Sequence, residues 1–413
     1  MKFTLSSEDE WGDVHHTQPF VIHGGASKWE ASSWTRADLI QLLPGSFNVR
    51  SGPLQYEVGR VNYDASCRKE ELTVPCFFER LDKRSQTEWS YMDYIHLAGS
   101  PSLSHLKDSF GWNELIGDDY SDELQTTLWL GSAGAHSPLH YDSMGWNLHA
   151  QLQGSKDWIL VPPAGSDGSR EKRQRELGAT RIPFEETTVY SELDTIGDPS
   201  LLSSMAGVGV FSLLPGDVLF IPPLWWHATI CSVHPPSPSP SPSPTSPSLS
   251  FSANIWLNER PDVLNTVVEA VTDATTAMLS TAGGISEREA GDALSFGGGG
   301  WTERLRYLEE QLNESTSNPT DEDESFAKNV AKLRQKGRLR YDSFIDRWGV
   351  EMRENEIKTT DELKKLWRDG TRQHTGLCFS SPTSQPSISS LSQSFVRELV
   401  RPWNIESIVK SMF

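Results

Sequence analysis

The feature that most constrains the fold is a series of short, β-rich segments in the middle of the chain. Each is bounded by Gly, Pro, Asp or Ser, the residues that interrupt strands. Many short strands between turn signals are typical of an antiparallel barrel or jelly roll. The sequence therefore predicts a mainly β domain. The predicted strands are 126–131, 147–153, 157–161, 208–214, 218–221, 226–233 and 249–257.

Flanking segments predict a few further elements. Residues 19–24 form an apolar run that ends at Gly-Gly and predict a strand. Residues 33–43 and 87–98 carry apolar side chains at helical spacing and predict helices. Residues 214–217, Leu-Pro-Gly-Asp, match a type II turn, with Pro second and with Gly third, where φ is positive.

Composition shifts divide the chain into a β domain with appended segments. The Pro/Ser run at 235–248 lies between two predicted strands, so we interpret it as a loop insertion and not as a domain boundary. Helical spacing after residue 258 predicts helices that either pack on the barrel or form a homodimer. The predicted divisions are an N-terminal tail (1–17), the β domain (18–258), a helical region (259–370), a disordered Ser/Pro-rich linker (371–395) and a C-terminal tail (396–413).

Charge and cysteine usage exclude several classes of function. The formal net charge is −19 and no long Lys/Arg run is present, which disfavours non-specific nucleic-acid binding. The first 14 residues lack the apolar core of a signal peptide, and no apolar run reaches 18 residues. The four cysteines form no Cys-x-x-Cys pair and match no zinc template. We therefore expect a cytoplasmic protein with no membrane span, and the nucleus remains open.

A His-x-Asp pair within the β series is the first sign of chemistry. His140 and Asp142 are two residues apart, and in a strand such residues point to the same face. His227 follows an apolar strand and Trp225-Trp226, a dry setting that suits a metal ligand. Two histidines and one carboxylate are the ligand set of non-haem Fe(II) oxygenases. The same three ligands also fit zinc, so they do not select iron by themselves.

A lysine and several polar residues accompany this ligand set. Lys156 follows a predicted strand and a Gly, where its charge could bind the distal carboxylate of 2-oxoglutarate. Ser137 could add a hydroxyl to that carboxylate. Asn147 and Asn254 lie on predicted strands and could bind the co-substrate or an oxygen of a metal ligand.

Longer motifs resemble one family. They are Thr-Leu-Trp-Leu-Gly-Ser-Ala-Gly-Ala-His-Ser-Pro-Leu-His-Tyr-Asp (127–142), Asn-Leu-His-Ala-Gln-Leu-Gln-Gly-Ser-Lys-Asp-Trp (147–158), the Pro-Gly-Asp to Trp-Trp-His run (215–227), Phe-Ser-Ala-Asn-Ile-Trp (251–256) and Gln-Pro-Phe-Val-Ile-His-Gly (18–24). Together they resemble a JmjC-domain oxygenase over about residues 18 to 280. Residues 142–145 and 180–186 are most similar to the small-heat-shock-protein-associated protein 1 group.

The resemblance implies a double-stranded β-helix, the JmjC/cupin jelly roll, with flanking helices. It implies Fe(II) bound by His140, Asp142 and His227, with O₂ as oxidant. It implies 2-oxoglutarate bound by Lys156 with help from Ser137, Asn147 and Asn254. The family often adds a tyrosine from the preceding helix, for which Tyr91 is the first choice and Tyr94 the alternative. Aromatic and imidazole side chains that could line the substrate entrance are Trp146, His149 and Trp225.

Three functions follow from this resemblance. The first is a 2-oxoglutarate-dependent dioxygenase that hydroxylates or demethylates a protein. The second is the same chemistry on a modified tRNA base, which the net charge of −19 disfavours. The third is a JmjC-like binding protein without turnover, with a small heat-shock protein as partner. The complete His-Asp-His set argues against the third, since a scaffold needs no metal ligands.

Overall fold

The computed structural model gives two antiparallel sheets that face each other. It describes residues 18–82, 87–98, 100–116, 125–143, 145–185, 188–232 and 249–257, with 268, 344–345, 351–352, 378–380 and 401–405. The larger sheet has the strand order β1 (Phe20–Ile22), β13 (Val218–Ile221), β8 (Trp146–Gln153), β15 (Leu249–Leu257), β6 (Thr127–Ser132), β5 (Glu88–His96), β2 (Ser46–Pro53) and β4 (Arg68–Thr73). The smaller sheet has the order β10 (Ala179–Glu185), β11 (Thr188–Ser191), β7 (His136–Asp142), β14 (Trp226–Ser232), β9 (Ser155–Val161) and β12 (Gly209–Leu213).

Helices lie outside the sheets. They are α1 (Arg36–Leu42), α2 (Val74–Asp82), α3 (Trp112–Ile116) and α4 (Arg170–Glu176), with 3₁₀ turns at Glu30–Ser33, Asp64–Ser66, Ser104–Ser109 and Pro199–Leu202. A capping box begins α1, because Thr35 and Asp38 satisfy each other's backbone N–H groups. This helix confirms the prediction at 33–43.

The central strands are buried on both faces. In β8, Leu148 and Ala150 pack in the main hydrophobic cluster with residues of α1 and α2. The alternate residues Asn147 and His149 face the smaller sheet and line a pocket. The strand therefore alternates apolar and polar residues as a half-exposed strand does, but its polar face is buried against the smaller sheet. The arrangement confirms the predicted mainly β jelly roll.

Most predicted strands of the β series are confirmed. Strands β13 and β15 have the predicted bounds, and the strand at 19–24 is β1. The turn at 214–217 is also confirmed, since Gly216 has φ +92° and the Asp217 N–H donates to the Leu214 carbonyl over 3.0 Å.

The prediction of a helix at 87–98 is wrong, because this segment forms strand β5. The pairing of β5 with β6 shifts register between Met92 and Ile95. Within this bulge Tyr94 takes a left-handed φ of 52°. The extra residue interrupts the two-residue alternation, so apolar residues recur at spacings that imitate a helix. Pairing with β2 and β6 decides the outcome.

Parts of the C-terminal region are described. Val268 is helical and buried, and short strands β16 (Phe344–Ile345) and β17 (Glu351–Met352) pair with each other. The rest of the predicted helical region, the 235–248 insertion and the N-terminal tail lie outside the described residues. Strand β18 (Cys378–Ser380) pairs in parallel with β3 (Gln55–Glu57), so predicted linker disorder is wrong at these three residues. The Cys378 N–H also donates to the Leu54 carbonyl, so this segment contacts the β domain beside β3.

The C-terminal segment returns to the domain at 401–405. Arg401 donates to the Ala179 carbonyl over 2.8 Å and pairs with Glu192 over 2.9 Å. Ile405 is fully buried. Across the described ranges, no helix has the length and apolarity needed to cross a membrane.

Candidate active site

A pocket of about 500 Å³, including its open mouth, lies between the inner faces of the two sheets. It contains all the metal and co-substrate residues predicted from the sequence. The lining is Asp64, Tyr91, Tyr94, Trp129, Ser137, His140, Asp142, Asn147, His149, Lys156, Trp158, Tyr190, His227, Thr229, Asn254 and Trp256.

Strand β7 aims two of the candidate ligands into this pocket. His140 and Asp142 are two residues apart and share one face, as the spacing predicts. Tyr141 lies on the opposite face, where its ring packs edge-on against Trp226 at 4.6 Å between centroids. Because this contact holds Tyr141 on the far side of the strand, His140 and Asp142 point into the pocket.

The third candidate ligand comes from the adjacent strand β14. His227 is paired directly with His140, and their ring centroids are 4.2 Å apart. The Nε2 of His140 lies 4.0 Å from Asp142 Oδ1, and the Nε2 of His227 lies 3.8 Å from Asp142 Oδ2. One nitrogen or oxygen from each residue falls within 4.8 Å of the others, which is close enough to hold one metal ion.

Backbone carbonyls orient both imidazoles in the same way. His140 Nδ1 lies 2.7 Å from the Pro138 carbonyl, and His227 Nδ1 lies 3.0 Å from the Trp225 carbonyl. A carbonyl only accepts, so each Nδ1 carries the proton and donates it. Each Nε2 therefore keeps its lone pair for a metal, the arrangement that ligating histidines usually show.

Burial favours the metal-binding form of these histidines. It lowers the pKa of His140, and together with the nearby His140 ring it lowers the pKa of His227 to about 4. Both imidazoles are therefore neutral at neutral pH. A neutral imidazole is the form that coordinates metals.

Residues from the larger sheet hold the carboxylate of Asp142. Trp256 donates its indole N–H to Asp142 Oδ2 over 3.0 Å, and Asn147 donates to the same oxygen over 3.4 Å. Asn254 donates to Asn147 over 3.1 Å. Of the two roles predicted for the asparagines, the structure favours contact with a ligand oxygen, directly for Asn147 and through Asn147 for Asn254.

Lys156 is a buried cation at the other end of the pocket. Only 2% of the residue is exposed, and burial lowers its pKa to about 8. Its Nζ contacts Ser252 Oγ at 3.0 Å, the Tyr91 hydroxyl at 3.1 Å and His149 Nε2 at 3.4 Å. Among the described residues, no carboxylate pairs with it. A buried charge with neutral partners is the counterpart that an anionic ligand requires.

The two candidate tyrosines lie in different places. The Tyr91 hydroxyl accepts a hydrogen bond from Lys156, and burial raises the pKa of Tyr91 well above its usual value. Its proton is therefore available for a ligand oxygen. Tyr94 is 47% exposed, and its ring packs on Trp129 at the pocket wall. The structure favours Tyr91, which lies on strand β5 and not on the predicted helix.

Ser137 lines the pocket together with His140, because the pairing of β7 with β14 shifts register between these two residues. A buried ion cluster lies next to Ser137. The Arg50 guanidinium pairs with Asp64 and Asp93 and approaches the Ser137 hydroxyl at 3.5 Å. The same guanidinium lies over the Tyr91 ring at 5.2 Å. Arg50 therefore packs against two residues of the candidate co-substrate end.

Only one of the three side chains predicted at the substrate entrance lies at the pocket. His149 lines the pocket, whereas Trp146 and Trp225 do not. Trp146 packs on Phe220 with ring centroids 4.9 Å apart, and Trp225 is buried in a separate apolar cluster. Packing is the role of those two tryptophans.

Several residues that line the pocket or contact its polar side chains were missed from the sequence. Ser252 and Trp256 share one strand face with Asn254, because all three alternate along β15. Applying the two-residue period to the predicted strand 249–257 would have found them. Arg50 and Asp64 carried no such signal, since their strand and turn were not predicted.

The donor set suits a hard or borderline divalent metal and an anion beside it. Two neutral imidazoles and one carboxylate fit Fe(II) and leave coordination positions open. The buried Lys156 fits one carboxylate of a dicarboxylic acid. The arrangement can therefore hold a metal-chelating acid with its far end on the lysine.

Comparison with known proteins agrees with this architecture. A family model described as a cupin-like domain matches residues 12–263. HSPB1-associated protein 1 from Homo sapiens is 30% identical over 64% of this chain and 53% of its own length. Lysine-specific demethylase JMJ30 from Arabidopsis thaliana is 31% identical over 51% of this chain and 46% of its own.

A third relative, tRNA wybutosine-synthesizing protein 4 from Gibberella zeae, is 32% identical over 55% of this chain and 21% of its own length. The chain thus spans about half the length of the first two curated relatives, and less of the third. The family model covers well over half of the chain, and its match coincides with the two-sheet domain. The chain therefore belongs to the cupin-like domain family, as a JmjC-type member.

Proposed function

We propose that this protein is an Fe(II)- and 2-oxoglutarate-dependent dioxygenase that hydroxylates or demethylates a protein substrate. One observation carries the proposal: a His-Asp-His cluster lines the same pocket as a buried lysine that pairs with no carboxylate among the described residues. The cluster accounts for a metal, and the lysine accounts for an anionic co-substrate. A scaffold with no turnover has no physical need for both.

The residues have separate tasks in this proposal. His140, Asp142 and His227 hold the iron, and the Pro138 and Trp225 carbonyls fix the two imidazoles. Bound iron would supply the redox chemistry by which 2-oxoglutarate, O₂ and a substrate C–H group are converted to succinate, CO₂ and a C–OH group. Lys156 neutralises the distal carboxylate of 2-oxoglutarate, and the Tyr91 hydroxyl donates a hydrogen bond to it. The surrounding aromatic side chains exclude water from the pocket.

Succinate production tests the proposal. Purified protein is supplied with Fe(II), ascorbate and 2-oxoglutarate, and succinate is measured in parallel with the Asp142→Ala variant. The proposal predicts wild-type succinate above the level of the variant even without substrate, as uncoupled turnover. Equal succinate from both proteins, with no metal retained by either, would refute it.

The relatives named HSPB1-associated protein 1 support a small heat-shock protein as partner. The net charge of −19 supports a protein substrate over tRNA, although one relative is named for wybutosine synthesis. Binding of a purified small heat-shock protein, compared with binding of a tRNA, separates these partners. Binding of tRNA alone would reverse the preference.

A further inference from the structure

Within the described structure, only one of the two carboxylate oxygens of Asp142 accepts hydrogen bonds. Oδ2 accepts two hydrogen bonds, from the Trp256 indole and from the Asn147 amide. Oδ1 accepts no such hydrogen bond within the described residues and lies 4.0 Å from His140 Nε2, while Oδ2 lies 3.8 Å from His227 Nε2. The two oxygens of one carboxylate therefore meet different surroundings.

We infer that Trp256 is a positioning residue that, with Asn147, keeps Asp142 a one-oxygen ligand and so leaves a coordination position open for O₂. This inference rests on the proposed function and deepens it. A carboxylate can bind a metal through one or both oxygens. Two N–H donors on Oδ2 favour binding through Oδ1 alone, because a second metal bond would compete for the same lone pairs.

The direction of the hydrogen bonds behind Asp142 is fixed from both ends. Trp129 donates to Asn254 Oδ1 over 2.7 Å, Asn254 donates to Asn147 Oδ1 over 3.1 Å, and Asn147 donates to Asp142 Oδ2. An indole can only donate and a carboxylate can only accept. The two amides between them therefore have one orientation that satisfies the whole chain, and it presents an N–H to Asp142.

The register of the larger sheet places both donors together. Trp256 and Asn147 are direct partners across strands β15 and β8. Asn254 and Trp256 share one face of β15, which is the face that meets the smaller sheet. The Trp256 ring packs edge-on against Trp129 at 6.5 Å, which restricts the direction of its N–H. The donors are therefore held by sheet pairing and by ring packing.

Mn(II) is the probe for this inference, since the number of waters on it can be measured by water-proton relaxation. With saturating Mn(II), we expect Trp256→Phe to hold one water fewer than the wild type, because Oδ2 becomes free to coordinate. We expect a fall in Mn(II) affinity of about tenfold, the usual scale for an outer-shell partner. Asn147→Ala, which removes less volume, should change the water number in the same direction.

Trp89→Phe is the matched control. Trp89 is buried outside the pocket, and within the described residues its indole N–H makes no hydrogen bond. The Trp89→Phe variant loses the same side-chain volume as Trp256→Phe but changes no contact of Asp142. It should therefore keep the wild-type number of waters on Mn(II). An unchanged number of waters in Trp256→Phe and Asn147→Ala would overturn the inference, even if affinity fell, and would leave the proposed function intact. Equal Mn(II) binding by wild type and His140→Ala would overturn both.

Discussion

The two sheets contribute differently to the pocket. The smaller sheet carries the groups that would bind a metal and a co-substrate: His140, Asp142, His227 and Lys156. The larger sheet carries the groups that contact them. Within the described residues, Lys156 Nζ donates to Tyr91 and Ser252 and contacts His149, and Asp142 Oδ2 accepts from Asn147 and Trp256.

This difference shows what determines the spacing and the orientation of the pocket side chains. Each sheet fixes the spacing of its own side chains through backbone pairing, as His140 and His227 show. Carbonyls of the same chain segments orient the two imidazoles, whereas the orientation of Asp142 and Lys156 depends on side chains of the larger sheet. Replacing a residue that binds the metal or the co-substrate should therefore cause a large loss of affinity for that ligand. Replacing a residue that positions it should cause a smaller loss.

The largest effect should come from a ligand of the smaller sheet. His140→Ala removes one of three metal ligands, so metal affinity should fall by more than about 100-fold, beyond the loss seen for outer-shell partners. Calorimetric titration with Mn(II) measures it. His136→Asn is the control, because His136 lies on the same strand but faces away from the pocket and contacts Asn62 and Gly134. Equal losses in both variants would show a general effect on β7 and not a ligand.

Lys156→Ala should separate the two ends of the pocket. Loss of the charged partner should weaken 2-oxoglutarate binding by about 10- to 100-fold, the scale of a hydrogen bond to a charged group, while Mn(II) affinity stays at the wild-type value. Titration of each ligand alone distinguishes the effects. The exposed Lys172→Ala serves as the control for charge. A variant that binds 2-oxoglutarate normally would remove Lys156 from the account.

The pH dependence of 2-oxoglutarate binding should report the same lysine. Burial lowers the pKa of Lys156 to about 8, so the free protein carries this charge below pH 8 and loses it as pH rises. Affinity should then fall about tenfold per pH unit above 8. Binding isotherms between pH 7 and about pH 9.5 measure this slope. The slope should vanish in Lys156→Ala, and a slope that persists there would assign the titration to another group.

A smaller effect should come from the larger sheet. Tyr91→Phe removes one neutral hydroxyl from Lys156 and from the ligand, so 2-oxoglutarate affinity should fall about fivefold, the scale of one net hydrogen bond. Tyr94→Phe should leave that affinity unchanged, because the structure gives Tyr94 no contact with Lys156. The reverse order would make Tyr94 the co-substrate tyrosine.

The sequence predicts the smaller sheet's contribution better than that of the larger sheet. His140 and Asp142 are recoverable from a two-residue spacing, and Lys156 from its place after a Gly in the predicted strand series. The hydrogen bond from Trp256 to Asp142 joins residues 114 positions apart in sequence, so no local pattern contains it. Asn147 and Asn254 were found as residues, but only the fold shows which atoms they contact.

Local patterns also failed where tertiary pairing decides. The segment 87–98 has helical spacing of apolar residues, yet the bulge at Tyr94 and pairing on both edges make it a strand. The three residues of β18 lie in a Ser/Pro-rich stretch, yet their backbone pairs with β3. Both results follow from partners far along the chain.

The most direct test of the account is the linkage between metal and co-substrate. Affinity for 2-oxoglutarate is measured by calorimetry with and without saturating Mn(II), in the wild type and in Asp142→Ala. If one molecule spans the metal ligands and Lys156, Mn(II) must tighten 2-oxoglutarate binding in the wild type, and the gain must disappear in Asp142→Ala. Equal affinity with and without Mn(II) in the wild type would contradict the account.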